Sequence, residues 1–291
     1  MEANGISGGT AEAAARRPPH VAMLVTPGRG HLTPLAELAK RLAARHGVTA
    51  TLITFASTAS ATQRAFLASL PPGISSLSLP PVDLSDLPPD ASIEMLMSEE
   101  CVRLMHELAL GLELSGQRFL WVVRSPSDEG AVNANYYDAE SKKDPLAYLP
   151  AGFVERTKGV GLLVPSWAPQ TEVLAHDATG CFLVHCGWNS VLESLVHGVP
   201  MVAWPLFAEQ RQNAVRLSQG VGAAVRVPAT KKKEEIAAAV REVMAGPGKG
   251  AEVRAKVATL QKAAIEGLLE GGAAMAALDE VASKWTGAEH A

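Results

Sequence analysis

The segment from Trp167 to Gln210, WAPQTEVLAHDATGCFLVHCGWNSVLESLVHGVPMVAWPLFAEQ, decides the fold of this chain. Two short apolar runs within it, Cys181–His185 and Met201–Trp204, have the composition of buried strands. Between them, Ser190–His197 has a helical pattern that ends at Gly198, and glycine commonly terminates helices. A strand, a helix and a second strand in this order are typical of an α/β fold with a parallel sheet.

The same alternation continues outward on both sides of this segment. One helical pattern, Leu32–His46, has a single apolar stripe and ends at Gly47. Further strand candidates are His20–Thr26, Val48–Phe55, Phe119–Arg124, Val160–Pro165 and Ala223–Val227. Continuous apolar strands separated by helices predict a parallel sheet that helices cover on both faces.

Two stretches interrupt this pattern. Leu79–Asp90 contains four prolines and is typical of a loop or linker. Ser125–Lys143 is polar and irregular, so we expect a surface loop there. The patterns of Val102–Leu114 and of the tail, Lys249–Trp285, predict helices.

The composition excludes several classes of partner. The chain has 291 residues, of which 47% are hydrophobic, and a formal net charge of -4. Because no basic stripe is present, we expect no binding to nucleic acid or to anionic membranes. No window reaches the ~18 apolar residues of a membrane span, so we expect no stable membrane insertion.

The cysteines and the N-terminus bear on localisation. The three cysteines, Cys101, Cys181 and Cys186, have no framework spacing, which fits a reducing compartment and predicts a cytoplasmic protein. The first residues lack the apolar region of a secretory signal, and we expect residues 1–19 to form a disordered tail.

A glycine-rich turn follows the first strand candidate, at Thr26–His31. It is similar to a dinucleotide fingerprint, but Thr33 stands where the third glycine is needed, and no acid ends the second strand. Nicotinamide binding is therefore disfavoured. His31 remains the notable residue, because a helix N-terminus disfavours imidazolium and keeps the ring neutral as a base. The alternative is a simple capping role.

The run from His185 to Ser190 joins a strand end to a helix start. Backbone N–H groups and the helix dipole at such a junction favour a phosphate group. A metal site formed by Cys181, His185 and Cys186 is the alternative. Adjacent side chains on a strand point to opposite faces and no CxxC pair is present, so we expect no metal.

Three sets of residues carry a resemblance to a known family. They are WAPQ with HCGWNS and the closing EQ, the PGRGHLTPL segment around His31, and ELALGLELSGQRFLWVVRSP. The chain resembles the plant UDP-dependent secondary-product glycosyltransferases, and most of all their hydroquinone and phenolic branch. The resemblance implies an α/β fold of the GT-B type, with two facing Rossmann-like halves, of which the first binds the acceptor and the second the UDP-sugar.

The resemblance also implies a role for each site residue. His31 is the catalytic base. Trp167 stacks on uracil, and Gln170 and the backbone of Ala168 contact the uridine. Glu193 accepts hydrogen bonds from the ribose hydroxyls. The residues implied for the diphosphate and the sugar are His185, Gly187, Asn189 and Ser190 in the phosphate loop, and Trp188, Glu209 and Gln210 at the sugar. Glutamine at the last position is associated with glucose rather than galactose.

The same resemblance implies an internal deletion. Each half of such a fold needs on the order of 150–200 residues. We expect a truncated acceptor-binding half over residues 20–90 and a UDP-sugar-binding half over residues 91–291. The central strand of the second half is absent, between the strands FLWVVR and CFLVH, together with the serine-containing loop after it. The aspartate that orients the base is absent too, and the family resemblance assigns that role to none of Asp83, Asp86 and Asp90.

We therefore expect a UDP-glycosyltransferase that transfers glucose from UDP-glucose, with inversion, to a hydroxyl of a small phenolic acceptor. No metal or cofactor is implied, and a monomer is expected. Three alternatives remain: a catalytically impaired remnant that binds nucleotide sugar, a chain that does not fold stably because its sheet exposes edges, and a nicotinamide oxidoreductase.

Overall fold

The computed structural model describes residues 18–25, 29–55, 61–79, 93–126, 137–138, 143–206 and 209–286. The chain divides into two compact units, one comprising Met1–Pro81 with Ala277–Ala291 and the other Val82–Ala276. The sequence predicts a later boundary between the two halves, after residue 90, and assigns all residues from 91 to 291 to the second half. The C-terminal residues join the first unit because Ala282 packs into its core. Most of the expected N-terminal tail lies outside the described residues.

The first unit is built on a three-stranded parallel sheet with the order β1-β2-β3. Its elements in chain order are β1 (His20–Leu24), α1 (Arg29–His46), β2 (Thr49–Phe55), α2 (Ala61–Ala68) and β3 (Ile74–Leu79). The sequence predicts an apolar stripe at Leu35, Leu38, Ala39 and Leu42, and of these Ala39 and Leu42 are buried in the core of this unit while Leu35 and Leu38 are partly buried. The buried face also includes Leu32 and Ala36. The helix ends before Gly47, whose φ of 63° favours glycine.

The other face of this sheet is open among the described residues. The strand register aligns Leu24, Ile53 and Leu77 across the three strands. Leu24 is 61% exposed and Leu77 is 51% exposed. Within the described part of this unit α1 packs on one face only, so the expectation that helices cover both faces is not met there. Strand β3 was also not expected, since its sequence ISSLSL gives a weak apolar signal.

The second unit contains most of the helices and strands. The first half of this unit contains α3 (Ile93–Ser115), β4 (Phe119–Val123), β5 (Ser125–Pro126), β6 (Tyr137–Asp138), a 3-10 helix (Pro145–Tyr148), α4 (Phe153–Arg156), β7 (Gly161–Pro165) and α5 (Gln170–Ala175). The second half contains β8 (Phe182–Val184), α6 (Trp188–Val196), β9 (Met201–Ala203), α7 (Gln210–Val215), a π-helical segment (Arg216–Val221), β10 (Ala224–Arg226), α8 (Lys233–Ala245) and α9 (Lys249–Leu268). The last helix, α10 (Ala273–Thr286), begins in the second unit, and its residues from Ala277 onward belong to the first. The strands expected from the sequence are present with slightly shorter bounds. The short β5–β6 pair lies where a surface loop was expected.

The described parallel strands of the second unit form two separate sheets. Strand β4 pairs with β7, and β8, β9 and β10 form a three-stranded sheet in the order β10-β9-β8. Within the described residues no ladder joins β4 to β8. Phe119 and Trp121 of β4 nevertheless pack in the same cluster as Leu183 of β8. The two sheets share one core, and their unjoined edges lie where the sequence predicts that a central strand is absent.

Helices α3 and α8 close this shared core. Leu104, Leu108 and Leu112 of α3 pack in one cluster with Ile236, Val240 and Val243 of α8. Gly111 permits the close approach of the two helices, because a Cβ there would lie 2.8 Å from Cβ of Ile236 and 3.1 Å from the carbonyl oxygen of Lys233. Protein interiors are close-packed, so even one added methyl group forces a shift.

The substitution Gly111→Ala is expected to lower the free energy of unfolding by about 1–2 kcal/mol, because overpacking outweighs the gain in helix propensity. The matched control is Gly267→Ala in α9, where an added Cβ meets nothing within 4 Å. That variant should be stabilised by up to ~1 kcal/mol. Urea unfolding of both variants checks this prediction, and an equal shift in the two would contradict the close contact of α3 with α8.

Candidate functional site

The carboxyl ends of three strands in the second unit meet at one edge. Arg124 directly follows β4, and its Nε–H donates a hydrogen bond of 3.1 Å to the carbonyl oxygen of Ser166, which follows β7. The charge of Arg124 also acts on His185, which follows β8. Parallel α/β sheets bind ligands beyond the carboxyl ends of their strands. This edge is therefore the candidate site.

Trp167 stands exposed at the tight turn after β7. Ser166 has a left-handed φ of 63°, and its N–H donates a hydrogen bond of 2.7 Å to the carbonyl oxygen of Val123. The turn leaves the Trp167 side chain 58% exposed. Ala168 and Pro169 connect it to α5. An exposed indole face is a platform on which a flat base stacks.

Gln170 connects α5 with α6 through two side-chain hydrogen bonds. Its Nε2 group donates to Oγ of Ser190 at 3.0 Å and to Oε2 of Glu193 at 2.6 Å. The structure thus brings Gln170 together with two residues of α6 that lie 20 and 23 positions further along the sequence. A carboxylate, a hydroxyl and an amide that converge in this way can bind hydroxyl groups and an anion side by side.

The turn between β8 and α6 is held close to an imidazole ring. Cys186 has a left-handed φ of 68°, and Gly187 is the N-cap of α6. A Cβ at Gly187 would collide with the imidazole of His185, so a larger residue there would force the ring to move. Trp188, which is 49% exposed, opens α6, followed by Asn189 and Ser190. The first-turn N–H groups have no intrahelical partners and favour an anion.

His185 lies between a cation and an anion at this edge. Burial lowers the pKa of His185 below its usual range, the charge of Arg124 lowers it further, and Glu209 opposes the shift. The imidazole is therefore neutral at physiological pH. A neutral imidazole still carries one N–H donor. His185 can therefore donate a hydrogen bond to an anionic ligand as a neutral ring.

Glu209 and Gln210 lie where α7 begins. Glu209 is the N-cap of α7, is exposed, and is near enough to His185 to act on its pKa. Gln210 is buried, and its side-chain carbonyl oxygen accepts a hydrogen bond of 3.0 Å from the N–H of Leu206. Gln210 is thus tied to the loop after β9 through its side-chain oxygen. The contacts of Glu209 and Gln210 with a sugar stay predictions.

His31 belongs to the first unit. It is the third residue of α1 and is exposed. This is the first-turn position that the sequence predicts, in the helix that follows the first strand. Its role as a base stays a prediction. The glycine-rich turn before it, at residues 26–28, and the three aspartates of the proline-rich segment lie outside the described residues.

Sequence reasoning missed Arg124 and Asn213. Asn213 in α7 is buried, and its Nδ2 group donates a hydrogen bond of 3.0 Å to the carbonyl oxygen of Cys186. Arg124 could have been predicted as a site residue, because it directly follows a strand, as His185 does. Asn213 lies inside a helix, and nothing in its local sequence pattern points to the β8–α6 turn.

The structure gives no support to a metal site or to reactive thiols. Among the residues that the structure describes, no three His, Cys, Asp or Glu side chains lie close enough to hold a metal ion. Burial raises the pKa of Cys181 and of Cys186 to about 12, so both stay protonated thiols. In the same described part of the chain, no helix is long and apolar enough to cross a membrane.

Sequence comparison relates this chain to one family. Residues 92–260 match the family described as UDP-glucoronosyl and UDP-glucosyl transferase. Hydroquinone glucosyltransferase of Rauvolfia serpentina is 55% identical over 183 residues, which are 62% of this chain and 38% of that protein. UDP-glycosyltransferase 72B1 of Arabidopsis thaliana is 53% identical over 186 residues, again 62% of this chain and 38% of the relative. The match thus spans well under half of each relative's length.

Solved structures show the same similarity. Phytolacca americana UGT2 complexed with UDP-2fluoro-glucose and pterostilbene superposes with a TM-score of 0.75 and 26% identity, over 94% of this chain and 100% of that chain. Os79 from O. sativa in complex with UDP superposes with a TM-score of 0.52 and 38% identity, over 63% of this chain and 37% of that chain. The α/β fold of the GT-B type expected from the sequence is confirmed.

Proposed function

Since the chain belongs to the UDP-glucoronosyl and UDP-glucosyl transferase family, we propose that its second unit binds a UDP-sugar at the edge where β4, β7 and β8 end. The observation that carries this proposal is the hydrogen-bonded group of Gln170, Ser190 and Glu193 beside the exposed indole of Trp167. It offers a stacking surface, a diol acceptor and an anion site in one place.

Each part of UDP has a matching group. The uracil ring stacks on Trp167, while the Ala168 backbone and Gln170 contact the uridine. The ribose hydroxyls donate to the carboxylate of Glu193, whose two oxygens suit a vicinal diol. In the ligand-free structure Oε2 of Glu193 already accepts a hydrogen bond of 2.6 Å from Gln170, so the ribose hydroxyls compete with Gln170 for this carboxylate. Gln170 therefore holds the carboxylate in place until the nucleotide arrives.

The diphosphate binds at the start of α6. The backbone at Gly187 and the side chains of Asn189 and Ser190 surround the helix N-terminus, where the dipole favours negative charge. Neutral His185 adds an N–H donor, and Arg124 contributes positive charge nearby. Trp188, Glu209 and Gln210 then line the sugar.

The reaction that we propose is transfer of glucose from UDP-glucose to a hydroxyl of a small phenolic acceptor, with inversion. His31 takes the proton of the acceptor hydroxyl, whose oxygen attacks the anomeric carbon. The bond to UDP breaks, and its new negative charge is stabilised by His185 and the N-terminus of α6. The phenolic acceptor is supported by the name of the Rauvolfia serpentina relative. No metal or cofactor is part of this proposal.

A second candidate function is a binding protein for nucleotide sugars with impaired catalysis. The observation that favours it is the first unit, in which a sheet of three strands leaves Leu24 and Leu77 exposed. An acceptor site needs walls that exclude water and fix the acceptor. Under both candidate functions the second unit binds a UDP-sugar. The two functions differ only in the rate at which the sugar is transferred to an acceptor.

Thermal unfolding in the presence of UDP tests donor binding. A ligand that binds only the folded chain stabilises it by RT ln(1 + [L]/Kd), about 2.7 kcal/mol at a hundredfold excess over Kd. We expect the melting temperature to rise with UDP concentration and to be unchanged by free glucose. A melting curve that millimolar UDP does not move would contradict the proposal.

Donor preference provides a further prediction. We expect UDP-glucose to bind more tightly than UDP-galactose, because Glu209 and Gln210 offer acceptors and a donor for sugar hydroxyls. The variant Gln210→Glu should reduce the preference, and Gln212→Glu, on an exposed position of the same helix, should leave it unchanged. Competition of the two sugars against UDP measures the ratio. Equal or reversed affinities in the unmodified chain would be the contrary result.

The setting of this function follows from composition and cysteine usage. We propose a cytoplasmic monomer whose partners are a UDP-sugar and a small hydroxylated acceptor. The net charge of -4 and the cysteines without framework spacing support this. Size-exclusion chromatography with light scattering tests the oligomeric state, and a stable dimer would contradict the monomer.

A further inference from the structure

Two residues of the proposed UDP site have a backbone conformation that side chains disfavour. Ser166 and Cys186 have φ values of 63° and 68°. Residues with a Cβ adopt this left-handed region at a cost, and they persist there only where the surrounding structure enforces it. Ser166 directly precedes Trp167, and Cys186 directly precedes Gly187. Both strained residues therefore set the direction of a turn that carries ligand-binding groups.

The carbonyl oxygen of each strained residue is held by a side chain from a different element. Nε–H of Arg124, at the end of β4, donates to the carbonyl oxygen of Ser166 at 3.1 Å. Nδ2–H of Asn213, in α7, donates to the carbonyl oxygen of Cys186 at 3.0 Å. Each bond fixes the peptide plane that follows the strained residue. The same arrangement thus occurs at the base-stacking turn and at the phosphate turn.

We infer that Arg124 and Asn213 are positioning residues for UDP binding, which hold the Ser166 and Cys186 peptides in their left-handed conformations. This inference rests on the proposed function. Asn213 is 6% exposed, so its hydrogen bond lies in a medium of low polarity where such bonds are strong. The bond from Arg124 has a charged donor, which also strengthens it. Neither residue needs to touch the nucleotide to act.

A competing explanation assigns Arg124 a direct electrostatic role, because its charge also acts on His185. The two explanations differ in what glycine does at position 166. Glycine adopts positive φ without a steric cost. If Arg124 acts by enforcing the strained turn, Ser166→Gly removes most of the need for it. If Arg124 acts through its charge, its removal costs the same in either background.

The test is a double-mutant cycle read as the Kd of UDP by calorimetry. We expect Arg124→Gln to weaken binding about tenfold, and less than about threefold when Ser166→Gly is also present. Arg118→Gln, at the opposite and exposed end of the same strand, is the matched control and should leave Kd unchanged. Asn213→Leu, which keeps the size of the side chain but removes the donor, should also weaken binding about tenfold.

Hydrogen exchange of the ligand-free variants provides a readout that does not depend on UDP. We expect faster exchange over residues 166–170 in Arg124→Gln and over residues 186–190 in Asn213→Leu, with α8 and α9 unchanged. An equal loss of affinity on removing Arg124 in both backgrounds, or unchanged exchange at both turns, overturns the inference. Failure of the unmodified chain to bind UDP overturns the proposed function instead, and the exchange data still decide whether the two side chains hold the turns.

Discussion

Replacing Trp167 by alanine is expected to weaken UDP binding by about ten- to hundredfold without unfolding the chain. Stacking of one base on an aromatic side chain contributes roughly 1–3 kcal/mol, and each ~1.4 kcal/mol is a factor of ten. The side chain is 58% exposed in the ligand-free structure, so its removal leaves no cavity in the core. The loss should therefore appear in Kd and not in the free energy of unfolding.

The chain offers a matched control for this variant. Trp285 in α10 is 46% exposed and lies in the first unit, so Trp285→Ala removes a similar area of indole from a different place. We expect it to leave the affinity for UDP unchanged. Titration calorimetry of the two variants beside the unmodified chain measures the difference. If both variants lose affinity equally, Trp167 is not a specific base platform.

The second large effect concerns turnover. We expect transfer of glucose from UDP-glucose to hydroquinone at below about 0.1 per second, since typical enzymes turn over about 10 times per second and general base catalysis contributes ~10²–10⁴-fold. His31 is present and exposed in the first turn of α1, but no aspartate of the sequence is assigned to orient it. Among the described residues, the sheet face that carries Leu24 and Leu77 is also exposed to water, and exclusion of water favours the transfer reaction.

Product formation, followed with His31→Ala as the control, measures this. A residual rate that His31→Ala does not change would agree with the expectation. Turnover of about 1–10 per second that is lost in His31→Ala would show that the remaining residues still build a working acceptor site. UDP binding is expected to be the same in both chains, because His31 lies outside the second unit.

Much of the fold could be predicted from apolar periodicity. The runs that became β4, β7, β8 and β9 are short, continuous and bounded by turn residues, so their strand character is local. Strand β3 was missed because three serines in ISSLSL mask its pairing with β2, which is a tertiary effect. The sequence also did not predict that α10 packs in the first unit, because Ala282 contacts residues that lie far away in the sequence.

The sequence motifs predicted which residues belong to the candidate site. They did not predict the contacts that these residues make with one another. The resemblance indicated Gln170, Ser190 and Glu193 one by one, but only the structure shows that one amide bonds both of the others. The left-handed backbone at Ser166 and Cys186 has no sequence signal, because neither residue is a glycine. A hydrogen bond from Asn213 to a turn 27 positions away is likewise invisible in a single sequence.

The central claim is that the second unit forms a UDP site although β4 and β8 are not joined in one sheet. Hydrogen–deuterium exchange of the whole chain with and without saturating UDP tests it most directly. We predict slower exchange with UDP over residues 166–170 and 185–193, and no change over β1, β2 and β3. Unchanged exchange at both of those segments, or protection confined to the first unit, would contradict the account.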